Sequence, residues 1–85
     1  MKFIISIEEN GYEIRCWDEM NEDMGEQLIS SWKMKDIYNK FKEMHFSIDP
    51  SLKKHIDELL DDKGFIVLAE DETDGSLFHS KLELF

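Results

Sequence analysis

The sequence predicts a small α+β domain with the element order βββααββ. Three observations support this class: alternating hydrophobic residues near both ends of the chain, apolar stripes of helical period between them, and turn dipeptides at Asn10-Gly11 and Asp74-Gly75. Strands on both sides of two consecutive helices favour a mostly antiparallel sheet with both helices packed on one face. The chain has 85 residues, of which 41% are hydrophobic, so residues 1–85 are predicted to form a single domain.

The first two strands are predicted to form a hairpin. Residues 2–8 are rich in isoleucine and phenylalanine, and Asn10-Gly11 is a strong signal for a tight turn. Residues 12–18 then alternate, which is typical of a half-buried strand. The side that we expect to face the core carries Tyr12, Ile14 and Cys16. Trp17 lies on the other side, where two interpretations are open: it is an aromatic anchor for a protein interface, or it packs under the loop at 19–25.

The polar segment 19–25 ends in glycine and is predicted to be a loop or a second turn, whereas residues 26–46 allow two interpretations. A first stripe recurs every four residues, as one long helix from about residue 19 to 45 would require: Met20, Met24, Leu28 and Trp32. A second stripe is rotated from the first: Met34, Ile37, Tyr38, Phe41 and Met44. One straight helix cannot bury both stripes, and Gly25 inside it would cost about 1 kcal/mol. We therefore predict a third strand at 26–31 and a helix capped near Ser31 that runs to about His45, with Trp32 and Phe41 in the core.

The second half of the chain is predicted to contain one helix and two strands. Asp49 is a suitable helix cap and Pro50 fits the first turn, while Gly64 is a suitable end. The apolar face of this helix consists of Leu52, Ile56, Leu59 and Leu60. Residues 65–69 are continuously apolar, which predicts a strand buried on both faces. After the turn at Asp74-Gly75, residues 78–84 alternate as a last strand.

The charges are divided into two acidic blocks and a basic middle. Residues 8–26 contain eight acidic residues and Arg15 alone, residues 57–74 contain eight acidic residues and Lys63 alone, and residues 27–56 carry six lysines and three acids. The net charge is −10. Clustered negative charge repels nucleic acid and attracts basic surfaces. The lysines at 33, 35, 40 and 42 flank the apolar stripe of their helix instead of converging, so we predict no direct binding to nucleic acid.

Residues that could carry chemistry show no recognisable spacing. The chain's single cysteine, Cys16, and its three histidines lie on four different predicted elements, without paired metal-ligand spacing. The acidic run at 70–75 fails as a calcium loop because Lys81 stands where a bidentate glutamate is required. We therefore expect no enzyme activity, no catalytic residues, no metal site and no cofactor. One cysteine and the lack of a signal peptide or membrane-spanning segment favour a cytoplasmic protein that does not bind membranes.

The opening of the chain also resembles a known family. Residues 1–12, read as Met-Lys-Phe-Ile-Ile-Ser-Ile-Glu-Glu-Asn-Gly-Tyr, followed by Ser31 and the helix through Ile37 and Phe41, are similar to the N-terminal domain of HicB-type antitoxins. The resemblance covers about the first half of the chain and implies a strand–turn–strand–strand–helix opening in a protein that neutralises an RNA-cleaving toxin. The proline-glycine-cysteine stretch usual after the second strand is replaced by Trp17-Asp18-Glu19-Met20.

Together these patterns predict a small acidic inhibitor that docks carboxylates on a basic protein, such as a nuclease or another nucleic-acid-binding enzyme. Carboxylates on a rigid fold can occupy sites meant for phosphates, and such nucleic-acid mimicry suits phage anti-defence proteins, immunity proteins and antitoxins. The alternative is an interaction or scaffold module whose acidity serves only solubility; the oligomeric state stays open. The predicted partner-binding residues are Trp17, Glu19, Glu22, Asp23, Glu26, Glu70, Asp71, Glu72 and Asp74.

Overall fold

The fold is an α+β domain built on one six-stranded sheet. The computed structural model describes residues 1–18, 20, 22–70, 73 and 75–79. The strands in this part of the chain are β1 (Lys2–Glu8), β2 (Gly11–Trp17), β3 (Asp23–Ile29), β4 (Ser47–Ile48), β5 (Phe65–Glu70) and β6 (Ser76–His79), and the helices are α1 (Met34–Glu43), α2 (Pro50–Lys53) and α3 (Ile56–Lys63). The strand order is β3-β2-β1-β5-β6-β4, and only the pair β4–β6 is parallel. The predicted fold class is confirmed.

The core lies between one face of the sheet and the helices. Phe3 is completely buried, and its ring makes edge-to-face contacts with Phe41 at 5.2 Å and Phe46 at 5.0 Å between centroids. Other large side chains of this layer include Ile5, Ile14, Ile37, Ile56, Leu60, Ile66, Leu68 and Leu77. Because α1 and α3 both bury residues here, the two long helices cover the same face. The opposite face carries Ile4, Arg15, Trp17, Val67 and Phe78, and we call it the open face.

The third element is a strand, as predicted, but its bounds differ. β3 begins at Asp23 instead of residue 26, because the chain turns back directly after β2: the Asp18 N–H donates to the Glu22 carbonyl at 3.1 Å, and Asp23 pairs with Trp17. The strand ends at Ile29, five residues before α1 begins. Trp32 lies in that connection and is 55% exposed, so its predicted place in the core is wrong.

The ends of α1 depend on two local motifs. Ser31 is not the helix cap: its hydroxyl accepts the Lys33 N–H at 3.1 Å and donates to Asp36 at 2.5 Å, and the helix begins after Lys33. At the other end, the Phe46 N–H reaches the carbonyl of Phe41 at 2.9 Å, and the following turn places His45 at a φ of 66°. This Schellman-type ending turns Phe46 back onto the core.

The second predicted helix is divided in two. Asp49 caps its start as predicted, since one carboxylate oxygen accepts the Ser51 N–H at 2.9 Å. The backbone N–H of Asp49 also donates to the Leu77 carbonyl at 2.9 Å, which ties this helix start to β6. α2 nevertheless ends after one turn, and α3 starts anew after His55. Leu52 and Ile56, on either side of this break, both lie in the core.

Three further details depart from the sequence prediction. The two-residue strand β4 was not predicted, because two residues cannot display a period. Phe65 is 44% exposed, so β5 is not buried on both faces along its whole length, whereas Ile66, Val67 and Leu68 are buried. The last strand begins at Ser76, and the predicted continuation beyond His79 lies outside the described residues.

Candidate functional site

The strand register brings parts of both acidic blocks to one end of the sheet, which we call the loop end (Trp17, Asp18, Glu22, Asp23 and Glu70). β2 finishes there at Trp17, beside the start of β1 and the start of β3. The end of β5 pairs with the same start of β1. Glu70 is held by the chain's first residue: its N–H donates to the Met1 carbonyl at 3.1 Å, and its carboxylate lies 3.5 Å from the Met1 amine.

Each acidic block is nevertheless divided between two ends of the molecule. Glu8 and Glu9 lie at or beside the β1–β2 turn, opposite the loop end. The end of α3 joins them there, because the Ile7 N–H donates to the Gly64 carbonyl at 2.9 Å. Each end combines carboxylates from both blocks.

The predicted carboxylates on β3 are partly neutralised by the single cation of their block. The Arg15 guanidinium projects from the open face and lies 3.2 Å from Asp23, 3.0 Å from Glu26 and 2.5 Å from Glu13. The hydrogen bond with Glu13 and the neighbouring carboxylates raise the pKa of Arg15 above its ordinary value, which keeps it charged. Asp23 and Glu26 are exposed, but they already share a partner within the chain.

The remaining predicted residues are placed as follows. Trp17 is half-buried on the open face, on the side of β2 that the alternation predicted. Glu22 is exposed in a loop that Asp18 organises by accepting the N–H groups of Met20 and Glu22, each at 2.9 Å. Glu70 is half-buried. The predicted sites at Glu19, Asp71, Glu72 and Asp74 lie outside the described residues.

A second surface, which the sequence analysis missed, combines aromatic and acidic side chains. We call it the aromatic–acidic patch (Tyr12, Trp32, Tyr38, Asp57 and Asp61). Trp32 meets Tyr12 edge to face at 5.4 Å between ring centroids, and Tyr12 is 8% exposed while Trp32 is 55% exposed. A buried ring thus supports an exposed one, which gives Trp32 a fixed orientation toward solvent.

The carboxylates of the patch come from α3. Asp57 and Asp61 are one helical turn apart, both are exposed, and they therefore share a side of the helix. Burial raises the pKa of Tyr12 above its ordinary value, and the negative charges of Asp57 and Asp61 raise it further. Burial and Asp57 raise the pKa of Tyr38 in the same way. The charges of both carboxylates therefore act on the phenol of Tyr12, and that of Asp57 acts on Tyr38 as well.

The patch also differs from the loop end in how its charges are compensated. No cationic nitrogen in the described part of the chain lies within the 4.0 Å ion-pair distance of Asp57 or Asp61. Lys53 lies at the border of the patch, with its ammonium 5.3 Å from the centroid of the Tyr38 ring. Tyr38 therefore already has a cation from its own chain, whereas the exposed face of Trp32 is available to a cation from another protein.

The sequence spacing around Trp32 does not reflect its position in the fold. Trp32 follows Met20, Met24 and Leu28 at intervals of four, the spacing that a single long helix would require. All four side chains are more than half exposed. The interval has no structural meaning here, because Met24 and Leu28 lie in β3, and Met20 and Trp32 lie in the connections on either side of it.

The described residues bring together no group of three or more histidine, cysteine and acidic side chains that could hold a metal ion. No helix in this part of the chain is long and apolar enough to cross a membrane.

Comparison with protein-family models, curated proteins and solved structures finds no match. The resemblance of the opening residues to HicB-type antitoxins therefore gains no support from these comparisons.

Proposed function

We propose that this protein is an acidic protein-binding module that inhibits a basic partner, with the aromatic–acidic patch as its anchor. The observation that carries the proposal is the exposed Trp32 ring, which packs on Tyr12. The charges of Asp57 and Asp61 act on the same Tyr12, and neither carboxylate has an ion-pair partner among the described residues. Tryptophan is among the commonest hot-spot residues of protein interfaces. An exposed aromatic ring beside uncompensated negative charge is suited to an arginine or lysine side chain.

The partner is a basic protein, and the class that best fits is a nuclease or another enzyme that handles nucleic acid. Its phosphate-binding arginines and lysines would stack on Trp32 and pair with Asp57 and Asp61. The net charge of −10 would speed association with a positive surface and repel nucleic acid. A phage anti-defence protein, an immunity protein or an antitoxin would work in this way, and the cytoplasm is the expected location.

Both acidic surfaces can take part, but their roles would differ. Three of the four described carboxylates of the loop end are already engaged: Asp23 by Arg15, Glu70 by the Met1 amine and Asp18 by backbone N–H groups. A new ion pair with any of these three must compete with an existing contact. Asp57 and Asp61 have no such competitor among the described residues. We therefore expect the patch to supply most of the binding energy, and the loop end to add long-range attraction.

The test starts with affinity capture from a lysate, using the parent chain and the variant W32A/D57N/D61N side by side. A basic nucleic-acid-binding protein should be retained by the parent and lost from the variant, and it should elute as salt rises. With the purified partner, Trp32→Ala alone should weaken binding by about thirtyfold, as expected for a hot-spot tryptophan. Circular dichroism should be unchanged, since Trp32 is mostly exposed.

A matched control neutralises the same number of carboxylates, taken from the two β3 residues that pair with Arg15. The variant D23N/E26Q should lower affinity much less than D57N/D61N, because Arg15 already neutralises part of that charge. Reversal of Glu70, Asp71, Glu72 and Asp74 to lysine tests the second hairpin separately. A partner retained equally by all variants, and unaffected by salt, would contradict the proposal and favour a scaffold module whose acidity serves solubility.

A further inference from the structure

The outer edge of β3 offers unpaired backbone to a partner. β3 is the terminal strand of the sheet, and within the described residues it pairs only with β2. Six of its seven residues are exposed. In an edge strand, alternate N–H and C=O groups point away from the sheet and can pair with an added strand. Edge strands of this kind are binding templates unless they are covered or distorted.

Only one half of β3 is regular enough to act as such a template. Pairing with β2 is continuous from Ile29, opposite Tyr12, to Glu26, opposite Arg15. Beyond Glu26 the register shifts, and such irregularities bend a strand and hinder further pairing. The usable template is therefore Glu26–Ile29.

A cleft of about 400 Å³ lies beside this regular half. Its lining includes Leu28 and Ile29, whose side chains point to opposite faces of the sheet, so the cleft must run along the sheet edge. Its other wall is one side of α1, with residues spaced at i, i+3, i+4 and i+7: Asp36, Asn39, Lys40 and Glu43. A strand edge facing a helix across a cleft is a geometry that holds an extended peptide.

We propose that the Glu26–Ile29 edge binds an extended segment of a partner protein, which adds to the sheet as a seventh strand beside β3. This goes beyond the proposed function, because the recognition uses backbone pairing in a cleft that contains no residue of the aromatic–acidic patch. One side of the added strand would cover Leu28, which is 66% exposed. The other side would face α1.

The charges of the cleft define the chemistry of the segment. The α1 wall carries two negative charges, on Asp36 and Glu43, and one positive charge, on Lys40. The Lys40 ammonium is already paired with Glu43 at 3.3 Å. The segment should therefore alternate apolar residues, which cover Leu28, with basic residues, which face the α1 carboxylates. A second copy of this chain is disfavoured as the occupant, because each copy carries a net charge of −10.

The experiment titrates the full chain with a fluorescein-labelled hexapeptide of alternating valine and lysine. We expect saturable binding, with amide hydrogen exchange slowed at alternate residues of Glu26–Ile29. The same peptide carrying N-methyl groups on alternate residues keeps its side chains but cannot form all ladder hydrogen bonds, so its affinity should fall at least about tenfold. A valine–glutamate peptide tests the role of charge and should bind no better than the N-methylated one.

Two protein variants locate the site. Leu28→Lys should weaken binding of the valine–lysine peptide, whereas Met24→Lys, beyond the regular half of β3, should leave it unchanged within about twofold. Trp32→Ala should also leave it unchanged, so failure of the proposed function and failure of this inference are distinguishable. The inference is overturned if N-methylation has no effect, if no binding occurs, or if sedimentation shows a dimer that Leu28→Lys disrupts, since that result assigns the edge to a second copy.

Discussion

Gly11 lies at the closest approach between β2 and the end of β3. A β-carbon at this position would lie 1.9 Å from the Ile29 carbonyl oxygen and 2.8 Å from the Ser31 nitrogen, so any side chain would collide with backbone. The sequence marks Gly11 as a turn residue after Asn10, but Gly11 is already the first residue of β2. Glycine is therefore required here because the neighbouring backbone leaves no room for a side chain. Only the tertiary structure reveals this close approach.

Replacing Gly11 by alanine should destabilise the domain by about 3 kcal/mol, because the backbone of β3 must move to make room. Gly64→Ala is the matched control: Gly64 ends α3 at a φ of 80°, but no atom lies within 4 Å of the added β-carbon. That change should cost only about 1 kcal/mol of left-handed strain. Denaturant unfolding of both variants measures the difference, and equal losses would refute the steric explanation.

The two tryptophans also show that local sequence patterns do not determine how exposed a side chain is. Alternation correctly placed Trp17 on the side of β2 opposite Tyr12, Ile14 and Cys16. It could not decide how far Trp17 is covered, because that depends on the neighbouring strands. Trp32 is predicted to lie in the core, yet it lies exposed in the connection between β3 and α1.

At the scale of elements, the end of α1 is held by its own backbone and by the core. The His45 N–H donates to the Lys42 carbonyl at 3.0 Å and the Phe46 N–H to the Phe41 carbonyl at 2.9 Å. In this motif the residue in the left-handed conformation is usually glycine, but here it is His45. The packing of Phe46 and Phe41 against Phe3 offsets the conformational strain of His45.

His45→Gly should therefore raise the free energy of unfolding by about 1 kcal/mol, because glycine adopts the left-handed conformation without a steric cost. His55→Gly is the control: His55 has a φ of −122°, so glycine relieves no strain there and only increases the entropy of the unfolded chain. Thermal or urea unfolding would measure both variants. If the change at position 45 destabilises the protein as much as the change at position 55, the strain interpretation is wrong.

At the scale of the whole molecule, folding favours the neutral form of three titratable side chains over their ionised form. Burial raises the pKa of Cys16, Tyr12 and Tyr38 above their ordinary values of 9.0 for the thiol and 10.0 for the two phenols. Nearby aspartates oppose ionisation of both phenols as well. For each group, the associated stability is fully present below the ordinary pKa and is lost as pH rises through the raised value.

We expect the urea midpoint to stay constant from neutral pH to about pH 8.5 with respect to these groups, and to fall above about pH 9 to 10. The variant Tyr12→Phe should show a shallower fall, because it lacks the phenol that faces Asp57 and Asp61. Urea titrations at a series of pH values, at one ionic strength, make the comparison. An equally steep fall in both proteins would mean that Tyr12 does not contribute.

The fold class and most of the elements could be predicted because they depend on local patterns. The β1–β2 hairpin and the choice of strand over helix at β3 follow from alternation and from two incompatible stripes. The start of the second predicted helix follows from Asp49 and Pro50. The division of that helix, the two-residue β4 and the shifted bounds of β3 depend on contacts with distant strands, which local patterns do not encode.

The sequence by itself determined the amount of charge, its division into two blocks and the α+β class, since these depend on composition and short-range periodicity. The tertiary structure alone decided which charges are neighbours. It joined Arg15 to carboxylates of β2 and β3, divided both acidic blocks between opposite ends, and brought the acidic side of α3 beside Tyr12 and Tyr38. The physical reason is that ion pairing and exposure depend on distances across the sheet, which strand register and helix packing set.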